Sequence, residues 1–166
     1  WLKTGSAMPL SSLNNETEKQ VVLDMWNNNA ETAHDYGRIT IELLGTASAS
    51  PFRFTIQSGN ADPGIFQQTI GNNVNVNTLA KWHHYAFVMH NPGSGHAVKF
   101  YVDSEYNDTL THTGTIGELP AKDMMGRIGA LLTTPSETTA TGSLAGAGKL
   151  SGSLDEFRFW KTARTA

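Results

Sequence analysis

The chain has 166 residues, a length typical of one domain, and its formal net charge of −3 gives no basic surface for nucleic acid or an anionic membrane. Charged residues make up only 16% of the chain, and 19 Thr, 12 Ser and 12 Asn supply much of the remaining polarity. The absence of cysteine excludes disulfides, thiol catalysis and cysteine metal sites, and no apolar run reaches the ~20 residues of a membrane-spanning helix.

Six segments alternate between apolar and more polar residues, a period that is typical of β-strands with one buried face. These segments are 21–26, 38–43, 52–57, 85–90, 98–103 and 156–160. Parallel strands are buried on both faces and read as continuous apolar runs, so the alternation favours antiparallel pairing. The sequence therefore predicts an all-β fold, an antiparallel β-sandwich or jelly roll of at least eight strands.

The alternation also predicts which side chains fill the space between the two sheets. These are Ile39, Ile41, Phe54, Phe87, Phe100, Val102, Phe157 and Phe159. Two segments, Thr4–Lys19 and Thr133–Lys149, have little periodicity and are predicted to be long surface loops. Between two strong strands, Asn91–Gly95 has the composition of a hairpin turn.

Four segments in the second half of the chain occur in the order of a known family. They are Trp82–Val88, Val98–Asp103, Arg127–Ala130 and Gly152–Trp160. They resemble the Trp-His-His, Val-Asp, Ile-Gly and Gly-x-Leu-Asp-Glu strands of the laminin-G-like group of concanavalin A-like lectin/glucanase sandwiches. The resemblance implies a concanavalin A-like jelly roll, and it implies less about function because this fold hosts many activities.

The resemblance also concerns the start of the chain, because Trp1–Lys3 is similar to the end of a family strand. We expect residues 1–166 to form one laminin-G-like domain, a fragment of a longer chain that lacks its first strands. An open sheet edge invites pairing with another strand. We therefore expect Leu154–Trp160 to be completed by a missing N-terminal segment or by a neighbouring subunit.

Relatives that cleave β-glucans carry carboxylates at alternate positions of one strand, and glycoside hydrolysis needs two of them ~5–9.5 Å apart. No such strand occurs here, because Glu16 and Glu18 lie in a predicted loop and the adjacent Asp155 and Glu156 point to opposite faces. Motifs of serine hydrolases, zinc peptidases and phosphate-binding loops are also absent. We predict that the domain is not an enzyme and has no catalytic residues.

Two titratable residues fall on faces that alternation predicts to be buried. His83 shares its face with Tyr85, and we interpret it as a hydrogen-bonded core histidine. Asp155 shares the face of Phe157 and Phe159, so its carboxylate needs backbone donors or a cation. The resemblance adds a structural calcium ion at Asp155 as the second alternative. A pentraxin-type calcium site is not expected, because the preceding loop offers few acidic residues.

The best candidate ligand site is a polar and aromatic cluster around the first two predicted strands. We predict that its residues bind ligand at one rim: Trp26, Asn27, Asn28, Asn29, His34, Asp35 and Tyr36. Trp26 follows the inward residues Leu23 and Met25 and is expected to emerge on the outer face. Amides would bond sugar hydroxyls, although an Asn run after a strand is also ordinary turn chemistry. Tyr101, Tyr106 and Trp160 are predicted on wetter faces, where they would form a stacking platform.

Two functional classes follow. The first is a non-catalytic carbohydrate-recognition or adhesion module of a larger secreted, surface or virion protein, which binds a glycan or surface polysaccharide. The alternative is a structural module that contacts other subunits of a virion or cell-surface assembly and has no glycan ligand. We predict an extracellular, cell-surface or virion location, with no nucleic-acid partner and no membrane insertion.

Overall fold

The fold was established from a computed structural model, which describes residues 1–4, 20–30, 35–44, 50–59, 65–74, 81–90, 95–113, 123–133 and 145–162. Within these ranges the chain forms ten β-strands and no helix. The strands are β1 (Leu2–Thr4), β2 (Gln20–Trp26), β3 (Gly37–Leu43), β4 (Phe52–Ser58), β5 (Ile65–Ile70), β6 (Tyr85–His90), β7 (Gly95–Val102), β8 (Glu105–Thr113), β9 (Met125–Ile128) and β10 (Gly152–Leu154).

The strands form two main sheets, and all strand pairings among the described residues are antiparallel. One sheet has five strands in the order β5-β4-β3-β2-β9, and the other has three in the order β6-β7-β8. Strand β1 pairs with β10 and also meets the start of β6, where Leu2 and His83 exchange two backbone hydrogen bonds of 2.9 and 3.1 Å. The predicted antiparallel sandwich is confirmed.

The apolar faces of the two sheets pack against each other and form the main core. Phe52 of β4 lies at its centre, with its ring centroid 5.1–5.4 Å from those of Tyr85, Phe87 and Phe100. Six of the eight predicted core residues belong to this cluster: Ile41, Phe54 and Phe100 are buried, and Ile39, Phe87 and Val102 are partly buried against it. Alternation therefore located the inner faces of β3, β4, β6 and β7 correctly.

A β-bulge interrupts the alternation of β2. The register with β3 shifts between Val21 and Leu23, so Val21 lies opposite Glu42 on the polar face of the sheet. Val22 belongs to the core cluster together with Leu23. The extra residue of a bulge reverses the facing of every side chain before it, which strict alternation does not anticipate.

The prediction that Phe157 and Phe159 face the core is wrong, because their exposed fractions are 39% and 59%. Strand β10 ends at Leu154, and the chain leaves the sheet at Glu156, whose backbone has a φ of +48°. Among the described strands, none pairs with residues 157–160. Completion of this strand by another segment stays a prediction.

The two long predicted loops fall mainly on residues 5–19 and 134–144, which lie outside the described residues. The predicted hairpin turn at residues 91–94 also lies outside them, although β6 and β7 pair as that turn requires, with His90 opposite Ala97. In the described part of the chain there is no helix with the length and apolar character needed to span a membrane.

Candidate functional site

The expected ligand cluster at the ends of β2 and β3 is largely buried. Trp26 and Tyr36 are both 0% exposed and form a second apolar cluster with Leu132, against which Met125 packs. The indole Nε1 of Trp26 donates to the Asn29 carbonyl at 2.8 Å. The prediction that Trp26 emerges at an open rim is wrong: its side chain does leave the core face, but other residues cover the opposite face as well.

The asparagines of this cluster act mainly as turn residues. Asn27 is 3% exposed; its Oδ1 accepts the Gly37 N–H at 3.0 Å, and its amide donates to the Asp35 carbonyl at 2.6 Å. The Asn29 amide donates to the same carbonyl at 2.9 Å, and Asn28 adopts a left-handed backbone with φ of +61°. These bonds close the connection between β2 and β3. Asn28 remains exposed.

A ligand role for Asn28, Asn29 and Asp35 stays a prediction. Asn29 and Asp35 are half-buried, so only part of their surface would reach a ligand. His34, the remaining member of the predicted cluster, lies outside the described residues.

The outer face of the five-stranded sheet carries a buried polar layer. Its members, all under one-tenth exposed, are Asp24, Arg38, Thr40, Glu42, Arg53, Thr55 and Gln57. Two ion pairs organise this layer, Arg38–Asp24 at 2.6 Å and Arg53–Glu42 at 2.5 Å. Both carboxylates are thus bound to guanidinium groups, which is unsuited to an acid–base pair around a scissile bond.

The segment after β9 closes part of this layer. Asp24 also accepts the Leu132 N–H at 2.8 Å, and Arg38 donates to the Thr133 carbonyl. Burial alone would lower the pKa of Arg38, but the hydrogen bond and charge of Asp24 raise it above its ordinary value. The guanidinium is therefore held charged inside the protein.

The outer face of the three-stranded sheet, in contrast, is open and aromatic. We call it the aromatic face and define it by Trp1, Trp82, His84, Tyr101 and Tyr106. The rings of Tyr101 and Tyr106, which lie opposite each other on β7 and β8, are 5.9 Å apart. Those of Trp1 and His84 are 5.5 Å apart, and the small Ala86 of β6 lies opposite Tyr101.

Three members of the aromatic face are strongly exposed: Trp1 by 45%, Trp82 by 43% and Tyr106 by 58%. The predicted outward placement of Tyr101 and Tyr106 is confirmed. Trp82 and His84 were not among the predicted site residues, although alternation could have found them. His83 faces inward beside Tyr85, so its two neighbours must face outward. Trp160 is also exposed, by 54%, but follows the end of β10.

Asp103, in the turn between β7 and β8, is hydrogen-bonded to the two residues that precede β6. Its carboxylate contacts the Nδ1 of His83 at 2.6 Å and accepts the backbone N–H of His84 at 2.8 Å. His83 is thus hydrogen-bonded as predicted, although it is half-buried, with 18% of its side chain exposed. Burial, with the Asp103 charge adding to it, raises the pKa of Tyr85 to about 12.

Asp155 is exposed, so the prediction that its carboxylate is buried is wrong. Its backbone N–H donates to the Trp1 carbonyl at 3.0 Å, and its Oδ1 accepts the Glu156 N–H at 2.8 Å. No cluster of three potential metal-ligating side chains occurs in the described ranges. A single carboxylate fits calcium poorly, because calcium takes six to eight oxygen ligands.

Comparison with known proteins decides the family. The model of the Laminin_G_3 family, of the concanavalin A-like lectin/glucanases superfamily, matches residues 10–166. The chain belongs to this family. No curated protein and no solved structure matches it. The expectation drawn from the Trp-His-His and Leu-Asp-Glu strands is thereby confirmed.

Laminin-G-like domains often bind carbohydrates or mediate adhesion, and they are commonly extracellular. Most are non-catalytic binding modules, although the superfamily also includes glycosidases. In this laminin-G-like domain the aromatic face presents three strongly exposed rings, whereas the polar layer of the other sheet is buried.

Proposed function

We propose that this laminin-G-like domain is a non-catalytic carbohydrate-recognition and adhesion module that binds a glycan through its aromatic face. The observation that supports the proposal is the set of exposed rings that the β1–β6 contact and the β7–β8 hairpin bring to one sheet surface. Sugar rings present apolar C–H faces, and aromatic side chains offer a rigid apolar surface with a polar edge.

Charged groups border this surface and supply hydrogen bonds for sugar hydroxyls. Lys99 of β7 is exposed and shares the outward direction of Tyr101 by alternation. Asp103 lies in the adjoining turn, Glu105 begins the next strand, and both are exposed as well. A shallow site of this kind binds weakly, roughly in the millimolar to micromolar range, or about −4 to −8 kcal/mol.

Weak sites gain strength when several copies act together, because each bound copy raises the effective concentration of the next. We therefore place the domain in a secreted, surface or virion protein, where repeated subunits meet a repeating polysaccharide. Other subunits of that assembly are its expected protein partners.

The absence of catalysis is part of the proposal. Among the described carboxylates, the two on the polar layer, Asp24 and Glu42, are each bound to an arginine. The expected result is no reducing-sugar release from β-glucans, and turnover that disappears in a Glu42→Gln variant would contradict it.

The test of the site is a glycan array, followed by calorimetric titration of the best binder. We expect the Tyr101→Ala/Tyr106→Ala variant to lose binding at least about tenfold while keeping its thermal unfolding profile. Phe159→Ala is the matched control, since the exposed fractions of Phe159 and Tyr106 are 59% and 58%. Equal affinity in all three proteins, with array binding present, would refute the aromatic face as the site.

The same array, run with calcium and with a chelator, tests the predicted structural calcium ion at Asp155. Glycan binding that depends on calcium and is lost in the Asp155→Asn variant would support that ion. Calcium-independent binding would leave Asp155 with the backbone role described above.

A second candidate function is a structural module that binds other subunits and no glycan. It is favoured by the exposed Phe157, Phe159 and Trp160, which follow one another at the end of β10. Sedimentation of the intact protein and of Phe157→Ala/Phe159→Ala distinguishes the two. Self-association that this variant abolishes, with a silent glycan array, would favour the structural role.

A further inference from the structure

Two histidines lie directly opposite each other where the two sheets meet at one edge of the sandwich. His96 of β7 pairs with His112 of β8, and their ring centroids are 5.0 Å apart. Phe66 of β5, the edge strand of the other sheet, places its ring 4.4 Å from His96 and 5.6 Å from His112. We call His96 and His112 the histidine pair.

The ring nitrogens of the pair are largely without partners. His96 is only 4% exposed. Within the described part of the chain, its Nδ1 and Nε2 and the Nε2 of His112 are buried and have no hydrogen-bond partner. Buried polar atoms without partners are rare in proteins, and an ion or ordered water is a usual explanation for them.

His96 is also in the chemical form that binds metals. Burial, and then the proximity of His112, lowers the pKa of His96, so its imidazole is neutral at pH 7. A neutral imidazole offers a free nitrogen lone pair, whereas a protonated ring offers none.

We propose that the histidine pair binds one zinc ion, with water completing its coordination. A zinc ion about 2.0–2.1 Å from a ring nitrogen lies roughly 3.2 Å from the centre of that ring. Two ring centres 5.0 Å apart then subtend about 100° at the ion, near the ~109° of a tetrahedral site. A linear arrangement would need a spacing of roughly 6.4 Å.

The surroundings favour zinc over other imidazole-binding ions. Imidazole ligands suit zinc, copper and nickel. Copper(II) and nickel(II) prefer square-planar or tetragonal geometry, whereas zinc has no geometric preference from its d electrons and accepts an angle of about 100°. A zinc ion on both rings would link β7 and β8 beside Phe66 of the other sheet.

The test is calorimetric titration of zinc chloride into the tag-free, chelator-treated protein at pH 7.5. We expect one zinc ion per chain, and an affinity at least about tenfold lower in both His96→Gln and His112→Gln. His90→Gln is the matched control, because His90 is an exposed histidine on the neighbouring strand β6. Unchanged zinc affinity in both pair variants, or no zinc binding by the unaltered protein, would overturn the proposal.

A measurement on the unaltered protein guards against variants that do not fold. Zinc should shift the ¹⁵N resonances of the His96 and His112 rings in nuclear magnetic resonance spectra and leave the other imidazoles unchanged. Shifts confined to His83 and His84, which also carry buried ring nitrogens without partners in the described ranges, would place the ion elsewhere and refute the proposal.

Discussion

At the scale of single residues, the Asp24–Arg38 pair shows how the polar layer is held. The two side chains are 0% and 2% exposed, and the Asp24 carboxylate accepts hydrogen bonds from Arg38 and from the Leu132 backbone. A buried charge that loses its partner is strongly destabilising, whereas exposed pairs contribute little. An ion pair of this domain is therefore expected to affect stability more when it is buried than when it is exposed.

We predict that Asp24→Asn lowers the free energy of unfolding by about 3–5 kcal/mol, because it leaves the Arg38 charge buried without a counterion. The control is Glu156→Gln, which breaks the exposed pair with Arg158, whose side chains are 55% and 61% exposed. That variant should change stability by less than about 1 kcal/mol. Urea unfolding of both variants measures the difference, and equal losses would contradict the argument.

Residue burial is also where sequence analysis of this chain succeeded least. Alternation correctly predicted that the Trp26 side chain points away from the core between the sheets. It carries no information about which residues cover the other face. Here the segment around Leu132, more than a hundred residues away, closes over it. The periodicity of a strand reports the direction of a side chain, and its burial depends on distant segments.

At the scale of elements, a tight two-residue turn closes the β7–β8 hairpin. Asp103 and Ser104 have φ of +51° and +74°, as the two central residues of a type I′ turn require. The same Asp103 binds His83 and His84 at the start of β6. One turn residue therefore helps to form the hairpin and also joins it to the neighbouring strand β6.

The contacts of the Asp103 carboxylate with His83 and His84 make the stability of the fold depend on pH in the acid range. Burial alone would raise the pKa of Asp103, but the hydrogen bonds from His83 and His84 and the charges of these histidines lower it below its ordinary 3.8. The ionised carboxylate thus stabilises the fold fully above about pH 3.8, and the contribution is lost as the pH falls from there through the lower pKa of the folded state.

We predict that Asp103→Asn flattens the fall in unfolding free energy between about pH 4 and pH 2, since one proton-linked group is removed. Urea unfolding at several pH values measures the slope. Glu105→Gln, which changes an exposed carboxylate two residues away, is the control. An identical slope in Asp103→Asn and the unaltered protein would show that the Asp103 contacts do not contribute to the pH dependence of stability.

The strands themselves were predictable where both periodicity and burial agree. The predicted segments at 38–43, 52–57 and 85–90 match β3, β4 and β6 to within one residue. Strands β5 and β8 were missed because polar residues such as Gln67 and Asn107 weaken their apolar alternation. Backbone pairing with β4 and β7 holds these two strands in their sheets.

At the scale of the whole molecule, the cluster around Phe52 joins the two sheets. This residue of β4 is 1% exposed, and its ring contacts three aromatic rings of β6 and β7. The two sheets meet chiefly through such side chains, because their backbones are paired within each sheet only.

We predict that Phe52→Ala lowers the free energy of unfolding by about 3–5 kcal/mol, since it opens a cavity between the sheets. Met89→Ala, at a position that is 48% exposed on β6, is the control and should cost less than about 1 kcal/mol. Thermal and urea unfolding measure both. A loss at Phe52 no larger than at Met89 would show that the sheets do not depend on this cluster.

The short pairing of β1 with β10 has a consequence for the order of folding. It joins Leu2 to Leu154 and so closes a loop of about 150 residues, with only three residue pairs to stabilise the closure. The hairpins β3–β4 and β6–β7 join residues much closer in the chain, and local pairings form earlier because their closure entropy is smaller. The contact that positions Trp1 beside His84 is therefore expected to form last during folding, so the aromatic face is completed only after both sheets have assembled.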